Sequence, residues 1–301
     1  MTKEQIADYF RGLQDSICQQ LEVADGEGRF QEDAWQRPGG GGGRSRVILG
    51  KHIEKGGVNF SAVHGALPDK IAKALKLEAS EFFASGVSIV LHPRNPWTPI
   101  IHMNVRYFEL SAGQWWFGGG IDLTPHYIEE DDISFFHKQL KDVCDRHHSD
   151  YYPEFSLWAD RYFYIKHRKE TRGIGGIFFD RLSQTEDQSR ESRFAFVKDV
   201  GEIFAPTYVS LLHKHKDRPY GERERAWQAI RRGRYVEFNL VLDKGTKFGL
   251  DTDGRTESIL MSMPPMAGWK YNHQVERGSL EEKTLQYLRQ AAEKANAGLA
   301  G

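Results

Sequence analysis

One segment, residues 101–107, alternates between apolar and polar side chains. His102, Asn104 and Arg106 occupy the even positions, and the odd positions carry Ile101, Met103, Val105 and Tyr107. Because successive side chains of a strand point to opposite faces of a sheet, residues 101–110 are predicted to form a strand with one apolar and one polar face. Residues 111–113 (Ser-Ala-Gly) predict a turn, and residues 114–117 predict a further strand. The segment 101–125 is therefore predicted to be a strand–turn–strand unit.

The polar face of this strand has two interpretations. Polar residues that face solvent opposite a core would explain the alternation without any function. Exposed strand faces favour Thr, Lys and Glu, however, whereas His, Asn and Arg can move a proton, hydrogen-bond and hold a carboxylate. A strand predicted at 87–91 likewise places Ser88 and His92 on one face. We therefore interpret the two polar faces as the lining of one functional cavity.

The remaining periodicity indicates an α+β fold with an antiparallel sheet, because the strands come in groups and do not alternate strictly with helices. Further strands are predicted at 235–243 and 258–263. Capping boxes open the first and last helices, at Thr2–Gln5 and Ser279–Glu282. Helices are predicted at 3–23, 67–85, 132–148, 154–169, 190–215, 222–232 and after residue 279. No linker or repeat divides the chain, so we expect residues 1–301 to be a single domain.

Composition excludes several classes of protein. The formal net charge is -1, which argues against nucleic acid as a partner, because such proteins carry a basic excess. The chain has 2 cysteines without metal-ligand spacing, and this favours free thiols. The first residues lack the layout of a signal or transit peptide, and no apolar run approaches the ~18 residues of a membrane span. We therefore expect a cytoplasmic protein without a transmembrane segment.

Glycine and aromatic residues mark two further segments. Three aromatic residues and three glycines, 115–120, precede Asp122, which favours a positioned carboxylate beside a flat ligand. Five glycines at 39–43 lack the Gly-Lys-Ser/Thr ending of a phosphate loop and predict a mobile surface loop, our candidate lid. The basic cluster 231–234 is interpreted as a solvated helix end. Arg255, after Gly254, is placed to reach a substrate carboxylate. The aromatic residues, the arginines and Asp122 together predict a flat, anionic small molecule as the ligand.

Several stretches of the chain are sequence motifs that are too long and specific to be explained by amino-acid composition. They are residues 99–108 (PIIHMNVRYF), 114–125 (QWWFGGGIDLTP), 172–180 (RGIGGIFFD), 220–225 (YGERER), 232–240 (RGRYVEFNL) and 255–264 (RTESILMSMP). Through these motifs the chain resembles the oxygen-dependent coproporphyrinogen III oxidase family. The matching stretches span roughly residues 10 to 271.

The resemblance implies a reaction, a fold and an assembly. The reaction is the oxidative decarboxylation of two propionates of coproporphyrinogen III to vinyl groups, which yields protoporphyrinogen IX. The implied fold is a large, mostly antiparallel sheet flanked by helices on both faces. The implied assembly is a homodimer, with residues 235–270 as the dimerisation segment. Molecular oxygen is the co-substrate, and because an electron-rich pyrrole can itself react with oxygen, we expect that no cofactor is required.

The resemblance also implies roles for individual residues. It makes His102 the proton donor, and we expect Asp122 to accept hydrogen bonds from pyrrole N–H groups. Substrate contacts are implied at Ser88, Asn104, Val105, Arg106, Asp253, Gly254 and Arg255. A divalent metal is an alternative, with implied ligands at His92, His102, His137 and His167. Asp253 and Lys244 depart from the family pattern, and a lysine lacks the bidentate fork of an arginine.

Two other functions remain open at this point. A tetrapyrrole or haem carrier without turnover would need the same pocket. A metal-dependent oxidase would need the four histidines to share one centre, although their spacing shows no local ligand signature.

Overall fold

The computed structural model describes residues 1–67, 81–251 and 254–297. Across these ranges the polypeptide forms a mixed α+β structure built on a large antiparallel sheet, as the sequence predicts. The strands of this sheet are β1 (Gln31–Gln36), β2 (Gly41–Ile48), β3 (Ile53–Ala66), β4 (Glu81–Pro93), β5 (Ile100–Leu110), β6 (Trp115–Thr124) and β9 (Gly176–Leu182). A separate two-stranded hairpin consists of β7 (Tyr164–Ile165) and β8 (Glu170–Thr171).

The sheet follows the order of the chain. Within the described ranges its seven strands lie in the order β1-β2-β3-β4-β5-β6-β9, and each neighbouring pair is antiparallel. The predicted hairpin is confirmed, because Ile100 pairs with Thr124 and Glu109 with Trp115 across the 111–113 turn. The register is regular except for shifts at Ile53/Lys55 in β3 and at Phe117/Gly119 in β6, so a row of side chains between these points continues from strand to strand.

The apolar face of the sheet packs on helices. The helices are α1 (Lys3–Asp25), α2 (Glu130–His147), α3 (Tyr151–Tyr162), α4 (Arg190–Glu202), α5 (Phe204–His215), α6 (Glu222–Glu237), α7 (Lys244–Asp251), α8 (Thr256–Leu260) and α9 (Leu280–Asn296). Helix α1 lies against β3 and β4, and α4 lies against β5 and β6. The alternation of β5 is confirmed, since Ile101, Met103 and Val105 are fully buried in this core. The capping box at Thr2 and Gln5 is present.

The polar face is partly covered by the C-terminal third of the chain, and here two predictions are wrong. Residues 235–243 are not a strand, because α6 runs to Glu237 and continues as a π-helical turn, Phe238–Leu242. Residues 258–263 are not a strand either, since α8 and a turn occupy them. Met261 nevertheless inserts toward the sheet, where its side chain fills the space beside Gly57. Short apolar runs have the same pattern in a buried helix as in a buried strand.

Other boundaries also differ from prediction. Residues 190–215 form two helices, which meet at Ile203, and α3 ends at Tyr162 rather than at 169. The glycines at 39–43 are not one loop, because Gly41–Gly43 belong to β2 and only residues 38–40 turn. Most of the helix predicted at 67–85 lies outside the described residues, and its described end, 81–85, is part of β4. No helix in the described ranges is long and apolar enough to cross a membrane.

Candidate active site

A row of small and polar side chains crosses the open face of the sheet. Registered pairing places one residue of each strand in this row, in the order Asp33, Ser45, Asn59, Ser88, Asn104, Gly120 and Phe178. Neighbouring strands lie about 4.8 Å apart, so the three spacings from β2 to β5 amount to roughly 14 Å. We call this the transverse row. It places the hydroxyl and amide side chains of β2 to β5 in one line, and it contains the predicted residues Ser88 and Asn104.

The adjacent row holds Arg106 among glycines. Its members are Gly43, Ser61, Gly86, Arg106 and Gly118. The Arg106 guanidinium donates to Asn104 Oδ1 at 2.8 Å and to Asp180 Oδ1 at 2.9 Å, and 38% of its side chain is exposed. A Cβ at Gly118 would lie 2.8 Å from Arg106 Nε. The glycine therefore lets the guanidinium lie flat across β6, within reach of an anionic ligand.

His102 and Asp122 are paired in the row on the other side of the transverse row. His102 lies opposite Asp122 in the β5–β6 register, and Nδ1 of the imidazole is 2.7 Å from Asp122 Oδ1. The histidine side chain is 24% exposed, whereas the Asp122 side chain is 2% exposed. The structure thus brings the two predicted catalytic residues into direct contact and presents the imidazole, rather than the carboxylate, to the open face.

Arg172, which sequence reasoning did not single out, lies behind this pair. Its Nη2 donates to both oxygens of Asp122, at 2.8 and 2.7 Å, and its Nη1 donates to Asn239 Oδ1 at 2.8 Å. The guanidinium stacks within 4.9 Å of the centroids of three aromatic rings, which belong to Phe163, Tyr235 and Phe238. The residue lies inside the 172–180 motif, but only the tertiary fold shows that it faces Asp122.

The charge state of Asp122 fixes the orientation of the histidine. Burial by itself would raise the pKa of Asp122, but the Arg172 guanidinium and the bond from His102 outweigh it and leave the pKa below its ordinary value. An ionised carboxylate only accepts hydrogen bonds, so His102 donates its Nδ1–H. In the neutral imidazole, Nε2 then carries a free lone pair.

Arg255 occupies the opposite end of the transverse row. Its guanidinium donates to the hydroxyls of Ser45 and Ser258, at 3.2 and 3.1 Å, and pairs with Asp33. Gly254, beside it, donates its N–H to Gly249 O at 2.8 Å. The two arginines are therefore three strands apart, because Arg255 contacts the transverse row at β2 and Arg106 lies in the adjacent row at β5.

Val105, a predicted substrate contact, does not lie on this face of the sheet. Val105 is fully buried in the core on the other face of the sheet, because it is an odd-numbered residue of β5. Its side chain therefore does not reach the open face, and the substrate contact implied at Val105 stays a prediction. Asp253 lies outside the described residues.

The structure does not bring the four predicted metal ligands together. His92 Nε2 donates to Ser262 O at 2.8 Å, and burial lowers the pKa of this imidazole well below its usual range. His137 bonds Ile174 O and the Tyr152 hydroxyl, whereas His167 pairs with Glu237. Among the residues that the structure describes, no group of three or more His, Cys, Asp or Glu side chains could hold a metal ion. The donor set therefore does not fit the predicted centre.

The basic cluster at 231–234 is also not a solvated helix end. Arg231 and Arg232 are 1% and 2% exposed, and they pair with Glu170 and Glu54 inside the molecule. Helix α6 continues to Glu237, so these residues lie in its interior rather than at its end.

A wide polar sheet face, a histidine–aspartate pair and two arginines define an enzyme that acts on a flat, acidic small molecule. A family model described as coproporphyrinogen III oxidase matches residues 5–294. The chain is 50% identical over 291 residues to the oxygen-dependent coproporphyrinogen-III oxidase, chloroplastic, of Glycine max, and 49% identical over 291 residues to coproporphyrinogen-III oxidase 1, chloroplastic, of Arabidopsis thaliana. Each alignment covers 91% of this chain and 75% of the relative. The chain belongs to the coproporphyrinogen III oxidase family.

Proposed function

We propose that this enzyme oxidatively decarboxylates two propionates of coproporphyrinogen III and releases protoporphyrinogen IX, with molecular oxygen as the electron acceptor. The observation that carries the assignment is the transverse row, which runs from the Arg255 contact at Ser45 to Asn104 across three strand spacings, roughly 14 Å. His102 and Asp122 lie two residues further along β5 and β6 from this row. Such a surface matches a flat macrocycle with carboxylates at its edge, and it agrees with the family of the chain.

Each decarboxylation removes two electrons from one propionate side chain. The propionate loses the bond to its carboxyl carbon as carbon dioxide and loses one hydrogen from the adjacent ring-side carbon, so that a vinyl group remains. Oxygen takes up the two electrons and, with two protons, becomes hydrogen peroxide. One of those protons comes from solvent when the propionate starts as a carboxylate, so the balance closes without a further oxidant.

His102 is the proton-moving group in this proposal. The side chain is partly exposed, and its Nε2 accepts a pyrrole N–H proton, which makes the ring more electron-rich and easier to oxidise. This role is the reverse of the proton donor that the resemblance implies for His102. Asp122 acts through His102, because its carboxylate is buried and already bonded to His102 and Arg172. This assignment replaces the direct pyrrole anchor that the sequence suggested for Asp122. Arg106 and Arg255 hold propionates as charge-assisted pairs.

The assembly belongs to the same proposal. Residues 235–270 form the contact of a homodimer, and this is supported by large apolar side chains that are exposed in the single chain. They are Leu240, Val241, Phe248, Leu250, Met266 and Trp269. An exposed apolar patch of this kind is typical of a protein–protein contact.

Oxygen-dependent turnover tests the function. Purified protein is incubated with coproporphyrinogen III in air and under argon, each with and without a chelator, and protoporphyrin fluorescence is measured after chemical oxidation. We expect product in air alone, with the same rate in chelator. Binding without product in air would instead identify a tetrapyrrole carrier, and loss of turnover in chelator would favour the metal-dependent oxidase.

A further inference from the structure

A cationic cavity lies apart from the open face of the sheet, where the β7–β8 hairpin, α6 and α9 meet. Its volume is about 220 Å³, and residues of all three elements line it, including Arg168, Trp227, Arg231, Arg234 and Arg289. The catalytic residues proposed above are not among its lining residues. The proposed oxidase reaction therefore gives this cavity no role.

Positive charge is in excess around the cavity. Arg231 donates to Glu170 at 2.6 Å, whereas Arg168 and Arg234 share one carboxylate, that of Glu237. Four guanidiniums thus face two carboxylates, which leaves two positive charges uncompensated. The fourth, Arg289, is exposed and has no hydrogen bond or ion pair within the described part of the chain.

Arg231 is a buried donor that still lacks partners. Its side chain is 1% exposed, and among the described residues neither Nε nor Nη2 has a hydrogen-bond partner. Buried polar groups are nearly always paired, and such a guanidinium can bind an oxyanion through two parallel N–H donors.

His273, at the same cavity, also lies in a positively charged environment. Nδ1 of His273 is also buried without a partner among the described residues. Burial first, and then the positive charges of Lys270 and Arg234, lower the pKa of this imidazole. The cavity thus collects donors and positive charge in excess of its one lining carboxylate, Glu170, which is already paired with Arg231.

We propose that this cavity binds a small oxyanion, either a phosphate or a carboxylate. Arg231 supplies the buried fork, and Arg289 supplies an exposed positive charge. The volume far exceeds the roughly 30 Å³ that one water occupies in the liquid, so a small oxyanion fits together with several waters. Trp227 lines the same cavity, and the Arg231 guanidinium lies over its ring, 5.8 Å from the centroid.

Arg289→Glu is the informative variant. A change at Arg231 would leave Glu170 buried without its partner and would confuse binding with folding. Arg289 is exposed and unpaired, so reversing its charge leaves the fold intact. Arg277→Glu is the matched control, because Arg277 is equally exposed, lies in the same C-terminal region and does not line the cavity.

Isothermal titration with inorganic phosphate, at constant ionic strength in chloride buffer, tests the site, and a parallel titration with succinate separates phosphate from carboxylate. We expect saturable binding of at least one anion to the wild type and to Arg277→Glu, and at least about tenfold weaker binding to Arg289→Glu. No saturable binding of either anion, or equal affinity in Arg289→Glu, would overturn the proposal. Neither result depends on oxidase turnover.

Discussion

Two buried carboxylate–guanidinium pairs meet near strand β8, and they differ in what they leave unpaired. In the first, Arg172 binds both oxygens of Asp122, which also accepts a bond from the half-open His102. In the second, Arg231 binds Glu170 with one nitrogen and leaves two others without a partner among the described residues. The first pair thus contacts an imidazole on the sheet face, whereas the second leaves two N–H donors unpaired beside a cavity.

The difference teaches how one structural element can serve chemistry in one place and recognition in another. A buried ion pair adds little net stability, because desolvation offsets most of the attraction. What each pair does depends on the third group. In the proposed mechanism Asp122 fixes the tautomer of His102 for proton transfer, whereas in the proposed anion site the unpaired donors of Arg231 bind the oxyanion.

Asp122→Asn gives the largest expected effect. The amide can no longer fix the His102 tautomer, and kcat should fall by roughly 10³–10⁴-fold, as in other enzymes where an amide replaces such a carboxylate. Because Arg172 would remain buried without its counter-charge, the free energy of unfolding should also fall by about 3–5 kcal/mol. Turnover assays and urea denaturation measure the two effects.

Asp199→Asn is the matched control for that variant. Asp199 also accepts bonds from a histidine and an arginine, His147 and Arg146, but at the surface, where such pairs contribute less than about 1 kcal/mol. We expect near-normal turnover from Asp199→Asn. Near-normal turnover from Asp122→Asn would remove the role given to the His102–Asp122 pair.

His102→Gln should separate catalysis from stability. Loss of the proton-moving group should lower kcat by about 10²–10⁴-fold. The Asp122–Arg172 pair stays intact and the side chain is partly exposed, so the urea midpoint should hardly change. A midpoint shift as large as that of Asp122→Asn would show instead that His102 is mainly structural.

Glu170→Gln tests the second pair in the same way. It leaves Arg231 buried and uncompensated, so we expect a loss of about 3–5 kcal/mol in the free energy of unfolding. The decrease in kcat should be at least about 100-fold smaller than in Asp122→Asn, since Glu170 does not contact the imidazole. Equal losses of kcat in the two variants would contradict the division of roles.

Asp160 provides a third case for comparison, because it is a mostly buried carboxylate that is not paired with a guanidinium. It has no hydrogen bond or ion pair in the described ranges, and burial raises its pKa to about 6. A raised pKa means that its ionisation opposes folding, so stability from this group is lost as pH rises from about 4 to 6.

Asp160→Asn should therefore stabilise the protein at pH 7, by about 1–3 kcal/mol, and have little effect at pH 3.5. Urea denaturation of both proteins at the two pH values measures this difference. An equal effect at both pH values would show that the gain does not come from ionisation.

The sequence predicted the strand part of the site well. Alternation in β5 is a local signal, and it correctly separated His102 from Met103 and Val105. The register that aligns Ser88 in β4 with Asn104 in β5 agrees with the burial of one face of each strand. These features depend on neighbours that are close in sequence or paired in one sheet.

The parts that failed depend on distant contacts. Residues 235–243 have an apolar spacing that is compatible with a strand. In the structure, helix α6 and the π-helical turn place Tyr235 and Phe238 in the interior, against the Arg172 guanidinium. Arg231 resembled a solvated helix end because its partner, Glu170, is 61 residues away in sequence. No local sequence pattern indicates an ion pair between residues that are so far apart in the chain.

The central claim is that the open sheet face binds the macrocycle with His102 at a pyrrole nitrogen. A crystal structure with coproporphyrin III, an unreactive analogue of the substrate, tests it most directly. We predict the macrocycle over Ser88 and Asn104, with a pyrrole nitrogen about 3 Å from His102 Nε2 and propionates at Arg106 and Arg255. A macrocycle bound away from this face, with His102 free of it, would contradict the account.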